Sequence, residues 1–453
     1  MIETINPATG GVIERIEPMS GAQIGAKLAV AARAAGSWSE RSLRERGELL
    51  RAVAARFRAE REPLAATAVR EMGKPLLQAR AEVDKCAFGL DFFAENAAAM
   101  LAAQPAPSTA SRSYVAFRPL GVLLAIMPWN FPFWQVIRAA APALMAGNVI
   151  LLKHATNTTR CALEIERLFN EAQAPDGCFG ALLVPGKDVG KIVEDPRVAA
   201  VTLTGSEGAG VAVARTAGEQ LKKCVLELGG SDPFVVLADA DLEAASATGV
   251  KARFQNNGES CIAAKRFIVE SAVYDEYLSR FSEIASAQVL GDPMEERTQL
   301  GPCAREDLRQ SVHDQVSGSV DQGARLVTGG RFVERPGFFY EPTVVADVAP
   351  GMPMFDEEVF GPAAAFVRAT DRDEALALAN DSRFGLGANI WTRDVALAEQ
   401  LAGKIEAGNV FINGMVASDP RLPFGGVKKS GYGRELSTFG IHEFVNVQTV
   451  WIG

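Results

Sequence analysis

The chain has 453 residues, with 55 acidic against 46 basic side chains and a formal net charge of −9. That balance argues against nucleic acid as the main partner, and no block of five like charges marks an interaction tail. Six cysteines without a Cys-x-x-Cys pair, and three scattered histidines, indicate neither a disulfide framework nor a metal site. A reducing, cytoplasmic setting is expected, and no metal.

The length exceeds one ordinary domain, so two or three domains are expected. The N-terminal MIETINPATGGVIERIEP has no apolar core of the kind a signal peptide needs. Residues 20–102 are rich in Ala and Arg with interspersed acids and read as helical. QPAPSTASRS, 104–113, is a loop by composition. PLGVLLAIMPW, 119–129, is too short to span a bilayer and reads as a buried strand; no membrane partner is expected. Continuous apolar runs at 122–127, 149–153, 179–184, 199–204 and 225–228 alternate with helical patterns. Such runs point to an α/β fold, a parallel sheet covered on both faces that takes a nucleotide at its strand C-termini. LELGGSDP, 226–233, punctuates the chain and marks a domain boundary. A second α/β unit follows, with strand-like runs at 233–237, 265–269, 387–392 and 409–412. Its helical patterns fall at 273–288, 304–322 and 371–380.

Several short stretches carry chemistry. FQNNGESCIAAKRFIV, 254–269, sets Cys261 behind a polar turn, whereas a structural free cysteine belongs in an apolar run. A nucleophilic thiol needs a lowered pKa or a base, and donors for the oxyanion it creates. With so few histidines, a carboxylate is the other option. Glu227 ends an apolar run, where desolvation raises its pKa toward the range of a general base; the bland alternative is a salt-bridge partner. Asn130, in MPWNFPFWQVIR, could supply an oxyanion donor or simply be a turn residue. AAVTLT running into GSEGAG is a strand, glycine turn and helix that offers backbone N–H groups to phosphate, or else a plain βα turn. VPGKDVG lacks the first glycine of a P-loop. Glu358 in EEVFGP is either an exposed charge or a carboxylate for ribose hydroxyls.

PWNFP, LLK, a TGS turn, LELGG, the loop cysteine, EEVFGP and PFGGVKKSGYGRE occur in that order, and this series resembles the aldehyde dehydrogenase family from end to end. The resemblance implies a Rossmann-type NAD(P)-binding domain at 1–106 and 121–229 and a catalytic domain at 230–439. It further implies an oligomerisation arm at 107–120 and 440–453, and a homodimer or homotetramer. Cys261 is implied as nucleophile, Glu227 as base, and Asn130 with the Cys261 backbone N–H as oxyanion hole. Trp129, Lys153, His154, Ala155, Thr156, Gly205, Ser206, Gly210, Leu228, Glu358 and Phe360 fall at cofactor positions. Thr156 stands where NAD-preferring relatives often carry Glu, so NAD or NADP is accommodated.

KKCVLELGGSDPF, AAKRF and NGMVASDPRLPFGGVKKSGYGREL look most like the succinate-semialdehyde dehydrogenase branch. There Arg138, eight residues after Asn130, is implied to grip the substrate's distal carboxylate, with Ser418 beside it and Trp134 and Phe424 lining the site. The bland reading of Arg138 is a pairing with a protein carboxylate. Gln255 replaces a second arginine that some members carry, and the burden is shared with Arg421 in one reading. Ala263 replaces a partner cysteine, which removes a local disulfide switch. Another carboxylated or polar aldehyde such as glutarate semialdehyde, a CoA-acylating relative, and a non-enzymatic binding protein on the same fold are the alternatives.

Overall fold

A computed structural model describes all 453 residues. The N-terminal helical region resolves into four helices, Gly21–Ser39, Leu43–Ala59, Arg61–Met72 and Leu76–Met100. Ser20 and Ser42 open the first two with reciprocal capping boxes to Gln23 and Glu45, which satisfy backbone N–H groups that the helix itself leaves free. The buried faces of these helices carry Leu50, Val53, Phe57, Val83, Leu90 and Phe93 into the largest core of the molecule.

That core surrounds a six-stranded sheet. Its order is Gly431–Tyr432, Lys223–Glu227, Val198–Thr204, Val122–Met127, Val149–His154 and Phe179–Ala181, and all but the first are parallel. The chain starts at the central strand Val122–Met127, builds outward on one side, then crosses to build the other. The strand order therefore reverses beside Met127 and Thr204, and a crevice opens beyond the C-terminal strand ends, where an open α/β sheet takes its ligand. The run at 179–184 is a strand only as far as Ala181.

A second sheet has seven strands, in the order Arg325–Thr328, Thr343–Ala346, Ala363–Ala369, Ala264–Glu270, Asp232–Val236, Gly387–Trp391 and Asn409–Ile412. Only its first strand is antiparallel. The first three of these strands were not legible in the sequence. Ala363–Ala369 is mostly alanine, a weak strand former, yet every residue but Arg368 is buried. Glu227 ends the first sheet and Asp232 begins the second, so Leu228–Ser231 is the crossing between them.

The chain then returns to the first sheet. Gly431–Tyr432 pairs antiparallel with Leu226–Glu227, and Phe424, Leu436, Ile441 and Phe444 join the first core. The sequence reading put residues up to 439 in the second domain. Phe424, Leu436, Ile441 and Phe444 have their apolar neighbours in the first core, whereas Val427–Lys428 between them pairs with Phe384–Gly385. Val445–Ile452 pairs with Arg112–Pro119, from Val445 opposite Pro119 to Ile452 opposite Arg112, and Gln104–Pro105 completes a separate three-stranded sheet. No helix is long and apolar enough to cross a membrane.

Candidate active site

Cys261 sits on a turn clamped from several sides. The helix Leu242–Phe254 runs into Asn256 and Asn257, both left-handed with φ of 55° and 59°. Asparagine tolerates that conformation better than most residues. The Asn256 amide donates to the carbonyls of Asn130 at 2.9 Å and Glu259 at 3.0 Å, and the Asn257 amide to those of Gly73 at 2.9 Å and Pro302 at 2.8 Å. Fully buried Arg253 donates to the carbonyls of Gly258, Val359, Gly361 and Ala264. Lys265 donates to the carbonyls of Ser260 at 2.9 Å and Cys261 at 2.8 Å. These buried donors hold the thiol's backbone on both sides. Asn256 and Asn257 were legible as a turn, but Arg253 and Lys265 did not stand out in the sequence, because a lysine or arginine that binds carbonyls has no spacing signature.

The Cys261 side chain is partly buried. Burial pushes its thiol up to about 12, and the positive charges of Arg138 and Lys265 act against that rise. Asn130 lies just past the strand Val122–Met127, buried, and its carboxamide N–H donates to the Glu259 carbonyl at 3.1 Å. A carboxamide has two N–H donors, so one remains for an oxyanion. Glu227 ends its strand with both carboxyl oxygens buried and without a hydrogen-bond partner. Burial lifts its pKa well above the usual carboxylate range, Glu435 adds to the rise, and Arg138 opposes it. Buried polar atoms are rarely left unpaired, and a carboxyl with both oxygens unpaired at a strand end beside the thiol's turn is suited to a catalytic role.

The glycines of LELGG follow from close approach. A side chain on Gly229 would strike the Glu358 carboxylate, and one on Gly230 would lie 2.7 Å from the Cys261 carbonyl. Glu358 accepts from the Gly230 N–H at 3.0 Å and lies 3.7 Å from the Lys265 ammonium.

The remaining positions surround the crevice at the strand ends. Lys153 is the penultimate residue of the strand Val149–His154, is buried, and has its pKa lowered by burial. Ala155 is partly buried and Thr156 is exposed in the turn that follows. Ser206 caps the helix Glu207–Glu219, and the Gly205 N–H donates to the Glu227 carbonyl at 3.0 Å. Trp129 and Phe360 meet edge to face at 5.7 Å. A lysine at a strand end, a capped helix start and a carboxylate across the crevice are a donor and acceptor set suited to the hydroxyls and phosphates of a dinucleotide.

Two residues at cofactor positions are engaged otherwise. The ring nitrogens of His154 are both taken, by the Pro132 carbonyl at 2.8 Å and the Thr158 hydroxyl at 2.9 Å, so its side chain braces the turn. Burial holds that imidazole down at about 4, hence neutral. At Gly210 a Cβ would lie 2.6 Å from the methyls of Leu228, so this glycine lets the helix seat against Leu228.

Arg138, on the helix Trp134–Met145, forms a buried ion pair with Glu435. It also donates to the Thr204 hydroxyl at 3.3 Å and lies 4.8 Å over the Phe424 ring. The guanidinium therefore already has a protein carboxylate, the blander of the two readings. Arg421 is exposed and pairs with Asp419. Ser418 accepts hydrogen bonds from the Trp134 indole at 2.9 Å and from Lys85 at 2.8 Å. Lys85, on the helix Leu76–Met100, was not singled out in the sequence. The available signal was a lysine next to buried Cys86, three residues after Glu82 on the same helix face. A cleft of about 580 Å³ is lined by Lys85, Phe131, Trp134, Gln255 and Asn256, the last two just ahead of Cys261.

The aldehyde dehydrogenase family model matches residues 1–450. The chain is 50% identical over 454 residues, covering 100% of it and 99% of the other protein, to succinate-semialdehyde dehydrogenase [NADP(+)] 1 of Mycobacterium tuberculosis. It is 51% identical over 449 residues to succinate semialdehyde dehydrogenase [NAD(P)+] Sad of Escherichia coli, covering 99% of this chain and 97% of that one. Its fold is similar to the crystal structure of succinic semialdehyde dehydrogenase from Streptococcus pyogenes in complex with NADP+, with a TM-score of 0.98, 37% identity and full coverage of both chains. A thiol on a clamped turn, an unpartnered carboxyl at the neighbouring strand end and full-length similarity converge on one conclusion: the chain belongs to the aldehyde dehydrogenase family.

Proposed function

We propose that the protein oxidises succinate semialdehyde to succinate with NAD or NADP, through a thioester on Cys261. The observation that carries the chemistry is the set of Cys261 on its clamped turn, Asn130 beside that turn and the unpartnered Glu227 carboxyl. Half-identity over the full length to succinate-semialdehyde dehydrogenases supports the substrate.

The Cys261 thiol gives up its proton to solvent water before it attacks, and the nearby cations Arg138 and Lys265 favour the thiolate. Sulfur then bonds to the aldehyde carbon, and the free N–H of Asn130 with the Cys261 backbone N–H takes the oxyanion. A bound nicotinamide supplies the hydride acceptor. Lys153, Ser206 and Glu358 would hold the dinucleotide, and the exposed Thr156 brings no charge against a 2′-phosphate. Glu227, once deprotonated, takes a proton from water as the water oxygen bonds to the acyl carbon and the carbon–sulfur bond breaks. A carboxyl kept for this step favours release to water over transfer to CoA.

The reading extends to a homodimer or homotetramer in the cytoplasm. The edge strand Val445–Ile452 supports self-association, because Val447 and Trp451 are more than half exposed on it. Six free cysteines support a reducing compartment. The test is NADH or NADPH formation from succinate semialdehyde without CoA, by wild type and Cys261→Ala. Turnover by wild type and none by the variant is expected; strict dependence on CoA, or retained activity in Cys261→Ala, would overturn the proposal.

A further inference from the structure

Lys265, the second residue of the strand Ala264–Glu270, is fully buried, and its side chain turns back onto the loop that carries the nucleophile. Its ammonium donates to the carbonyls of Ser260 at 2.9 Å, Cys261 at 2.8 Å and Ala263 at 3.3 Å. Three carbonyl acceptors engage all three N–H groups, which only the protonated amine has. Burial lowers its pKa, and Glu358, 3.7 Å away, and Asp232 act against that fall.

Two of these carbonyls flank the nucleophile. The Ser260 carbonyl and the Cys261 N–H belong to one peptide unit, and every peptide bond of the chain is trans. In a planar trans unit the carbonyl and the N–H point in opposite directions. Fixing the Ser260 oxygen on Lys265 therefore aims the Cys261 N–H away from the ammonium, and that N–H donates to no protein group. The Ser260 oxygen also accepts from the Ala263 N–H at 3.2 Å. With both lone pairs engaged, one of them by a full positive charge, the peptide is polarised and its N–H becomes a stronger donor. The Cys261 carbonyl is tied to the same ammonium, so the backbone is fixed on each side of the thiol. Arg253 is the contrast. It is also fully buried and binds four carbonyls, those of Gly258, Val359, Gly361 and Ala264, but none lies in a peptide unit that contains an atom of Cys261.

We propose that Lys265 is a positioning residue for the oxyanion hole: through the Ser260–Cys261 peptide it aims and strengthens the backbone N–H that receives the oxyanion. As the carbon–sulfur bond forms, the carbonyl electron pair moves onto the aldehyde oxygen. The Cys261 N–H and the free N–H of Asn130 share that charge, and the pair returns to carbon as hydride departs. The inference rests on the reading of Cys261 as the thioester nucleophile and names the side chain that prepares its N–H.

Two reactions of the cofactor-free enzyme separate the oxyanion from the thiolate. 4-Nitrophenyl acetate acylates the thiol through an oxyanion, whereas iodoacetamide alkylates it by displacing iodide at a saturated carbon and forms none. Lys265 also favours the thiolate, but that effect is common to both reactions and cancels in the ratio of their rate constants. Cys261→Ala supplies the background for each. In Lys265→Met the ratio of first-turnover acylation to alkylation should fall by roughly tenfold, less than the roughly 100- to 1,000-fold for loss of a whole oxyanion donor, because the N–H itself remains. The kcat/KM for succinate semialdehyde and for butanal should fall together by at least as much. Lys265→Arg keeps the charge and the N–H donors and should hold the ratio within about threefold of wild type. If Lys265→Met does not fold, Lys265→Gln is the neutral comparison, with a fall of about fivefold or more expected. An unchanged ratio in the neutral variants, with acylation and alkylation falling equally, or a fall just as large in Lys265→Arg, makes Lys265 a packing residue and overturns the proposal while the thioester reading stands. Aldehyde oxidation retained in Cys261→Ala overturns the thioester reading itself, and the role of Lys265 with it.

Discussion

Removing Arg138 should damage the protein in a way the sequence alone would not suggest. A guanidinium reserved for substrate could be truncated at the expense of semialdehyde turnover only. In the fold it neutralises buried Glu435, touches Thr204 and covers the Phe424 ring. Arg138→Ala leaves the Glu435 carboxyl buried with only a 3.4 Å contact from the Thr202 hydroxyl. Breaking a buried pair from one side costs about 3–5 kcal/mol. The lost cation–ring contact adds about 0.5–2 kcal/mol. Protonation of Glu435 limits the total, so a loss near 4 kcal/mol is expected. The double variant Arg138→Met with Glu435→Gln removes both charges and keeps most of the volume, and should recover all but about 1–2 kcal/mol of it. Guanidinium unfolding followed by tryptophan fluorescence reads the first core, where Trp38 and Trp134 are buried. Activity on succinate semialdehyde and butanal should fall together in Arg138→Ala. A variant within about 1 kcal/mol of wild type that loses only semialdehyde efficiency would refute this reasoning and return Arg138 to the role of substrate ligand.

Three further outcomes are expected. Glu227→Gln should retain a burst of reduced nucleotide in the first turnover while steady-state turnover drops by about 100-fold or more, because thioester hydrolysis loses its base; pre-steady-state absorbance checks it, and a normal steady state would count against Glu227. Thr156→Glu should raise the NAD to NADP efficiency ratio by about tenfold, since the new carboxylate repels a 2′-phosphate and accepts from ribose hydroxyls; an unchanged ratio places the 2′ position elsewhere. With the Cys261 thiol pushed up to about 12, its alkylation by iodoacetamide in the cofactor-free enzyme should keep rising from pH 7 to 10. Cys261→Ser gives the background from partly exposed Cys224, and a plateau below pH 8 would show a thiolate already formed at rest.

The apolar runs at 122–127, 149–153 and 199–204 were readable as parallel strands because both faces of such a strand are buried and the hydrophobic signal is continuous. Cys261 was readable for the opposite reason, a thiol set in a polar turn. Glu227 was readable as an acid at the end of an apolar run. Each of these rests on neighbours within a few residues, which is the range over which a sequence displays its own physics. Ala363–Ala369 escaped because alanine has no strand preference, and only its burial between Ala264–Glu270 and Thr343–Ala346 makes it one.

What only the tertiary structure decided lies in contacts between distant segments. The sequence placed Arg138 on a helix behind Asn130, but its charge is answered by Glu435, brought back when Gly431–Tyr432 joins the first sheet. His154 falls at a cofactor position by resemblance, while in the fold Pro132 and Thr158 take both its ring nitrogens. Lys85 is one lysine among many until the fold leaves it beside Ser418 with its charge unanswered. A side chain's type sets what it can donate or accept, and local pattern sets whether it lies on a helix or a strand. Whether its charge is already neutralised depends on which remote segment packs against it, and no local pattern carries that information.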